Sequence, residues 1–203
     1  MPLICGILLA AGRASRFGSH KLLCPLPDGT PMAAACARNL LPGVDRAIAV
    51  VRPEDEPLAR LLRAEGMEVA PCATAAEGMG ASLAWGVGAA PQADGWLIVL
   101  ADMPAIRPAT MQGIARLLRQ GVWAAAPAYR GRRGHPVGFG QPFREELLRL
   151  KGDIGARPLL ARYSHRLRIL DSDDPGILTD IDTPRDLHAL GHAISAATAG
   201  HKP

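Results

Sequence analysis

Three groups of residues in this 203-residue chain have types and spacings suited to phosphate chemistry. The first is the stretch 9–21, LAAGRASRFGSHK, where an apolar run breaks into small and basic residues. Ala10, Ala11, Gly12, Ala14, Ser15 and Gly18 would let backbone N–H groups approach an anion closely, while Arg16 and Lys21 would bring mobile positive charge. The spacing is not that of a P-loop, because Lys21 comes three residues after Gly18 instead of following it directly. A surface glycine loop with two bases is the plainer reading of the same letters. The second group is acidic. Asp102 follows the apolar run WLIVLA, and alternation along Thr179-Asp180-Ile181-Asp182 puts both aspartates on one side with Ile181 on the other. Turn and helix-start chemistry would account for these aspartates without any function. The third is the basic, glycine-rich segment YRGRRGHPVGFG, residues 129–140, which could also be a simple surface hairpin.

Strand-length apolar runs at Leu3 to Ala10, Ala47 to Val51, Trp96 to Leu100, Trp123 to Ala126 and Leu167 to Leu170 are what could carry these groups. They alternate with helical patterns. The helices are expected over Met32 to Leu41 after the Thr30-Pro31 start, Glu56 to Ala64, Met79 to Ala89, Ala109 to Arg119, Phe143 to Leu150 and Pro158 to Arg162. A last helix from Pro184 to Ala197 is expected behind a capping box of Thr183 and Asp186. Runs apolar on both faces between helices predict a three-layer α/β/α fold around a mainly parallel sheet. In such a sheet, the loop after the first strand faces the ligand crevice. One domain over residues 1–197 is expected, with 198–203 as a disordered tail.

Composition narrows the function. A net charge of +4 suits an anionic small molecule, and 4% aromatics offers few stacking platforms for nucleic acid. No apolar run reaches the roughly 18 residues of a membrane span, and the start MPLICGILLAAG has no basic n-region, so a cytoplasmic protein is expected. Cys5, Cys24, Cys36 and Cys72 match neither a zinc pair nor a redox dithiol and read as buried or inert thiols. His188 and His192 share a helix spacing but have no third ligand in sight, and Asp171, Asp173 and Asp174 read as a solvent loop.

The pattern Leu-Ala-Ala-Gly-x-x-x-Arg-x-Gly-x-x-Lys on a first strand resembles the signature loop of the Rossmann-like nucleotidyltransferases. With Ala101-Asp102-Met103-Pro104, DIDTP, EGMGASLAWGV, GRRGHPVGF and GDIGARPLL, the chain resembles the molybdopterin cytidylyltransferase and guanylyltransferase branch. The resemblance implies an enzyme that moves a nucleoside monophosphate from a nucleoside triphosphate to a molybdopterin-type cofactor and releases pyrophosphate. It implies that Leu9, Ala10, Ala11, Gly12, Arg13, Ser15, Gly18, Lys21 and Ser82 lie along the nucleotide, with Arg16 and Lys21 neutralising the triphosphate. Asp102 and Asp182 would hold Mg²⁺, while Arg132, Arg133, His135 and Arg157 would surround the acceptor. Relatives with Ala-Ala-Gly, as at Ala10-Ala11-Gly12, tend to use CTP, and those with Ala-Gly-Gly GTP, so CTP is favoured. The rivals are a guanylyltransferase, a sugar-phosphate nucleotidyltransferase and a nucleotide-binding cofactor chaperone. Transient contact with molybdoenzyme maturation factors is a further expectation. Asp153 in GDIGARPLL and Asp180 receive no assigned role.

Overall fold

A computed structural model of the chain describes residues 1–12 and 20–189. Strand β1 (Ile4–Leu9) runs parallel to β2 (Arg46–Val51) on one side and β4 (Gly95–Leu100) on the other, and β3 (Glu68–Pro71) extends the sheet beyond β2. Because β1 is apolar at successive positions, it needs cover on both faces. Ile4 and Leu8 pack under α1 (Met32–Leu40), α2 (Glu56–Ala64) and α4 (Pro108–Arg119). Cys5 and Ile7 pack under α3 (Met79–Gly88), α5 (Arg144–Leu148) and α6 (Arg157–Arg162). The result is the three-layer arrangement that the alternation implied, with a mixed sheet of eight strands among the described residues.

The other half of the sheet departs from the parallel pattern. β5 (Ala124–Tyr129) is followed by a tight turn, the two-residue strand β6 (Arg132–Arg133) and then β7 (Val137–Gly140), which inserts antiparallel between β4 and β5. β8 (Leu167–Asp171) runs parallel to β5 on its far side. The segment 129–140 is therefore a hairpin, but its second half is buried sheet and not surface. Gly134 interrupts the strand, and its N–H still donates to Pro127 O at 3.0 Å. A Cβ at Gly134 would collide with the carbonyl of Ile177, so only glycine lets the two chains approach there.

The loop after β8 also differs from the sequence reading. Asp174 is not solvated but buried, and its carboxylate accepts from the N–H groups of Arg107 and Gly176 and from the Thr110 hydroxyl. It thereby fastens residues 172–178 to the start of α4, and Asp171 and Asp173 are exposed as expected. The helix expected from Pro184 is present over residues 184–189, with Thr183 N–H and hydroxyl donating to Asp186 and Asp186 N–H donating back to the Thr183 hydroxyl. That is the capping box. The N-terminal cap at Thr30 is not formed; Pro31 occupies the cap position of α1 without a side-chain bond. The tail from 198 and His192 lie outside the described residues. Among the described residues, no helix is long and apolar enough to cross a membrane. Cys5, Cys36 and Cys72 are buried and Cys24 is half-buried; burial pushes the Cys5 thiol up to about 12 and raises that of Cys36 as well.

Candidate active site

The parallel strands β1, β2 and β4 end on one edge of the sheet, and antiparallel β7 begins there, since Val137 pairs with Ile98. This edge gathers Gly12 after β1, Arg52 after β2, Asp102 after β4 and His135 before β7. Carboxyl ends of parallel strands are where open α/β sheets place their ligands.

Lys21 occupies the centre. It opens a short 3₁₀ turn, Lys21–Leu23, whose Leu22 packs with Met32 on Ile181. Ile181 is fully buried, so the flanking Asp180 and Asp182 turn outward, as the alternation required. The Ile181 N–H donates to Asp102 O at 2.9 Å and ties the two aspartate loops together. With backbone positions fixed in this way, Lys21 Nζ lies 3.0 Å from Asp102 Oδ2 and 2.7 Å from Asp182 Oδ1. Burial works against the ammonium, but the bond to Asp182 and the charge of Asp102 outweigh it, and the Lys21 pKa is raised. Lys21 is therefore a permanent cation at neutral pH. Two carboxylates from different loops converge on one positive charge, which is the donor set that Mg²⁺ prefers when substrate phosphates and water complete its shell. Among the described residues there is no cluster of three metal-ligating side chains.

Two adjoining cavities open beside this cluster. One, of about 500 Å³, is walled by Leu9, Ala11, Gly12, Arg52, Gly78, Ser82 and Asp102. Its floor depends on Gly78, which has φ +114° and caps α3; a Cβ there would collide with Asp153 Oδ1 and the Gly152 carbonyl carbon. The segments EGMGAS and KGDIGA thus interlock, and the Gly80 N–H donates to Gly152 O at 2.7 Å. Ser82 lines the cavity, but its N–H and hydroxyl both engage Gly78 O, so these helix-start donors are already occupied. The second cavity, of about 350 Å³, is walled by Leu83, Ile98, Val137, Phe139 and Leu160, with Arg133, His135, Asp153 and Arg157 as charged or polar groups. Leu9, Met79, Leu100 and Asp153 line both cavities.

The structure therefore brings together Leu9, Ala11, Gly12, Lys21, Ser82, Asp102 and Asp182 on one side, and Arg133, His135 and Arg157 on the other. It does not bring Ala10 or Arg132 to either wall. Ala10 is buried in the core with its N–H on Val50 O, and Arg132 is exposed opposite Tyr129 on β6. Arg13, Ser15, Arg16 and Gly18 lie outside the described residues. His135 is half-buried, its N–H held by Ile177 O, and its Nδ1 is buried without a partner among the described residues. Burial, with Arg133 nearby, lowers its pKa despite the opposing charges of Asp102 and Asp180, so a neutral imidazole faces the cavity. Sequence reasoning missed Arg52, whose Nε donates to Ala11 O at 2.8 Å. An arginine after a strand carries no signature, and only the parallel pairing of β1 with β2 places it here.

Comparison with known proteins bears on the family and the fold. The family model described as the MobA-like NTP transferase domain matches residues 6–167. The purine catabolism protein PucB of Bacillus subtilis strain 168 is 30% identical over 208 residues, covering 96% of this chain and 98% of PucB. Among solved structures, the Methanothermobacter nucleotidyl transferase Mth528 is 27% identical with a TM-score of 0.81, covering 96% of this chain and 99% of that one. Rv0371c of Mycobacterium tuberculosis H37Rv, in complex with manganese, is 28% identical with a TM-score of 0.74, covering 94% of this chain and 99% of that one.

Proposed function

Because the chain belongs to the MobA-like NTP transferase family and is a nucleotidyltransferase, we propose that it transfers CMP from CTP to a molybdopterin-type cofactor and releases pyrophosphate. The observation that carries this reading is the Lys21, Asp102 and Asp182 cluster beside two adjoining cavities of different character. Phosphates fit beside the cluster and the small residues Ala11 and Gly12. A flat heteroaromatic acceptor with a phosphate fits the apolar walls of Val137, Phe139 and Leu160, where Arg133 and Arg157 can pair with phosphate oxygens. His135 lines the same cavity as a neutral imidazole. The Ala11 side chain lies in the wall of the nucleotide cavity, which supports the smaller pyrimidine over a purine.

In this reading, Asp102 and Asp182 would hold a divalent cation, Mg²⁺ in the proposal, which supplies charge neutralisation of the triphosphate when bound. The acceptor phosphate approaches the α-phosphorus in line from the side of the second cavity, and pyrophosphate leaves on the opposite side. Lys21 shifts from the carboxylates toward the triphosphate oxygens, and Arg16 with the backbone of 11–18 grips the β- and γ-phosphates. The protein thus supplies position and fixed charge. Pyrophosphate release with Mg²⁺, molybdopterin acceptor and each of CTP, GTP, ATP and UTP tests the proposal. Release with CTP is expected. Release with GTP alone overturns the base assignment, and release with none of the four, from folded protein, overturns the acceptor.

A further inference from the structure

Arg52 lies in the wall of a ligand cavity and has no carboxylate partner among the described residues. Other arginines of the molecule are paired with carboxylates: Arg38 with Glu65 and Arg46, at the opposite end of β2, with Glu68, each through two hydrogen bonds. Arg52 is half-buried at the end of β2, and its one side-chain bond among the described residues runs from Nε to Ala11 O. That bond fixes the plane of the guanidinium and leaves both terminal nitrogens unengaged among the described residues.

The order of strands along the ligand edge says what reaches them. The acceptor cavity lies over β4 and β7, and the carboxylate cluster lies at the end of β4 beside β1. Arg52 is on β2, the next strand on, about 10 Å from the end of β4 at two strand spacings. A nucleotide with its phosphates at Lys21 and its acceptor over β7 extends its base toward β2. We propose that Arg52 is a specificity residue that reads the base, its two terminal nitrogens donating to a pair of adjacent acceptors, the O2 and N3 of cytosine. The assignment rests on the CTP reading and deepens it. A guanidinium only donates, so it rejects uracil, which presents N3–H beside O2. In adenine N1 and N7 each lie beside the amino donor, whereas guanine offers O6 and N7.

The test is equilibrium binding of CTP, UTP and 3-deaza-CTP, in which a C–H replaces N3, to the wild-type chain, Arg52→Met and Arg52→Lys, with Mg²⁺ and without acceptor. The wild type is expected to bind CTP about tenfold or more tightly than either competitor, the discrimination of a good bidentate pair. Arg52→Met binds all three alike, and Arg52→Lys, which keeps the charge and loses the fork, narrows the ratio as well. If Arg52→Met weakens all three equally and the CTP to 3-deaza-CTP ratio survives, Arg52 merely braces the Ala11 carbonyl and the assignment falls, while CTP turnover stands. If the wild type prefers GTP, the cytosine reading falls by itself. The ratio of GTP to 7-deaza-GTP then decides Arg52: its collapse in Arg52→Met supports base reading through O6 and N7, and its survival overturns it.

Discussion

Replacing Lys21 with methionine separates two roles that a simple loss of activity would confuse. The ammonium now stands between Asp102 and Asp182, where the proposed divalent cation would sit, so in the absence of nucleotide the lysine and the metal compete. The Asp102 side chain is 29% exposed and that of Asp182 52% exposed, so solvent weakens both bonds and the shorter one to Asp182 is discounted the more. A charge-assisted hydrogen bond contributes about 1.5–3 kcal/mol, and with the exposed partner discounted the lysine opposes the metal by about 2 kcal/mol, roughly 30-fold in affinity. Methionine keeps the length and the apolar stem and removes the charge. Titration of Mn²⁺ into nucleotide-free protein, with free Mn²⁺ followed by its paramagnetic resonance signal, should show Lys21→Met binding about 30-fold more tightly than wild type. Turnover with CTP should move the other way, because the triphosphate loses its lysine. Equal or weaker Mn²⁺ binding by folded Lys21→Met would refute the idea that these carboxylates form the metal site and that Lys21 holds it closed.

Two further outcomes test the walls of the cavities. Gly78→Ala combines a strained φ with a collision against Asp153 and Gly152, whereas Gly66→Ala, at φ +90° with open space around it, carries the strain alone. Thermal melting should show the first losing clearly more than the roughly 1 kcal/mol expected of the second, and CTP binding should fall only in the first; equal losses would mean that the interlock of residues 78 and 152 is not structural. His135 supplies a pH signature. In the unfolded chain an imidazole takes up its proton near pH 6.5, about the ordinary value, and in the folded chain only at lower pH because burial opposes the charge. Its contribution is therefore full above the ordinary value and is lost as pH falls through the folded value. The melting temperature of the wild type should decline more steeply below about pH 6.5 than that of His135→Gln; parallel slopes would show that the imidazole is not protected.

Strands β1, β2 and β4 were legible because each is a short apolar run between helical patterns, and burial on both faces leaves no other place for such runs; β8 was legible from its apolar residues although it is half exposed. β3 and β7 were not. Glu68–Pro71 is an edge strand whose charge and proline mask its pairing with β2. Val137–Gly140 is buried but half glycine, so its residues carry no hydrophobic alternation; its place is set by pairing with its hairpin neighbour β5 and with β4, which lies far from it in the sequence. The same limit explains Asp174. In the sequence it is one of three acidic residues in a short run, and only the approach of Arg107 and Thr110 from another element makes burying it favourable.

The site divides along the same line. Lys21, Asp102 and Asp182 could be named from the sequence because each sits in a motif tied to the end of an element. Their convergence on one point could not, since it depends on Ile181 filling a small apolar niche with Leu22 and Met32. The apolar residue between two aspartates thus decides where both carboxylates point, which makes Ile181 as consequential for the cluster as the charges themselves. Ile181→Ala keeps every charged group and removes the packing that orients them, with the expected cost of a buried large-to-small change, about 2–5 kcal/mol at most for so small a cluster. If the cluster depends on that packing, the variant loses turnover and metal binding together while the capping box of Thr183 and Asp186 still starts its helix. Retention of both activities would place the organisation of the site in the charges alone.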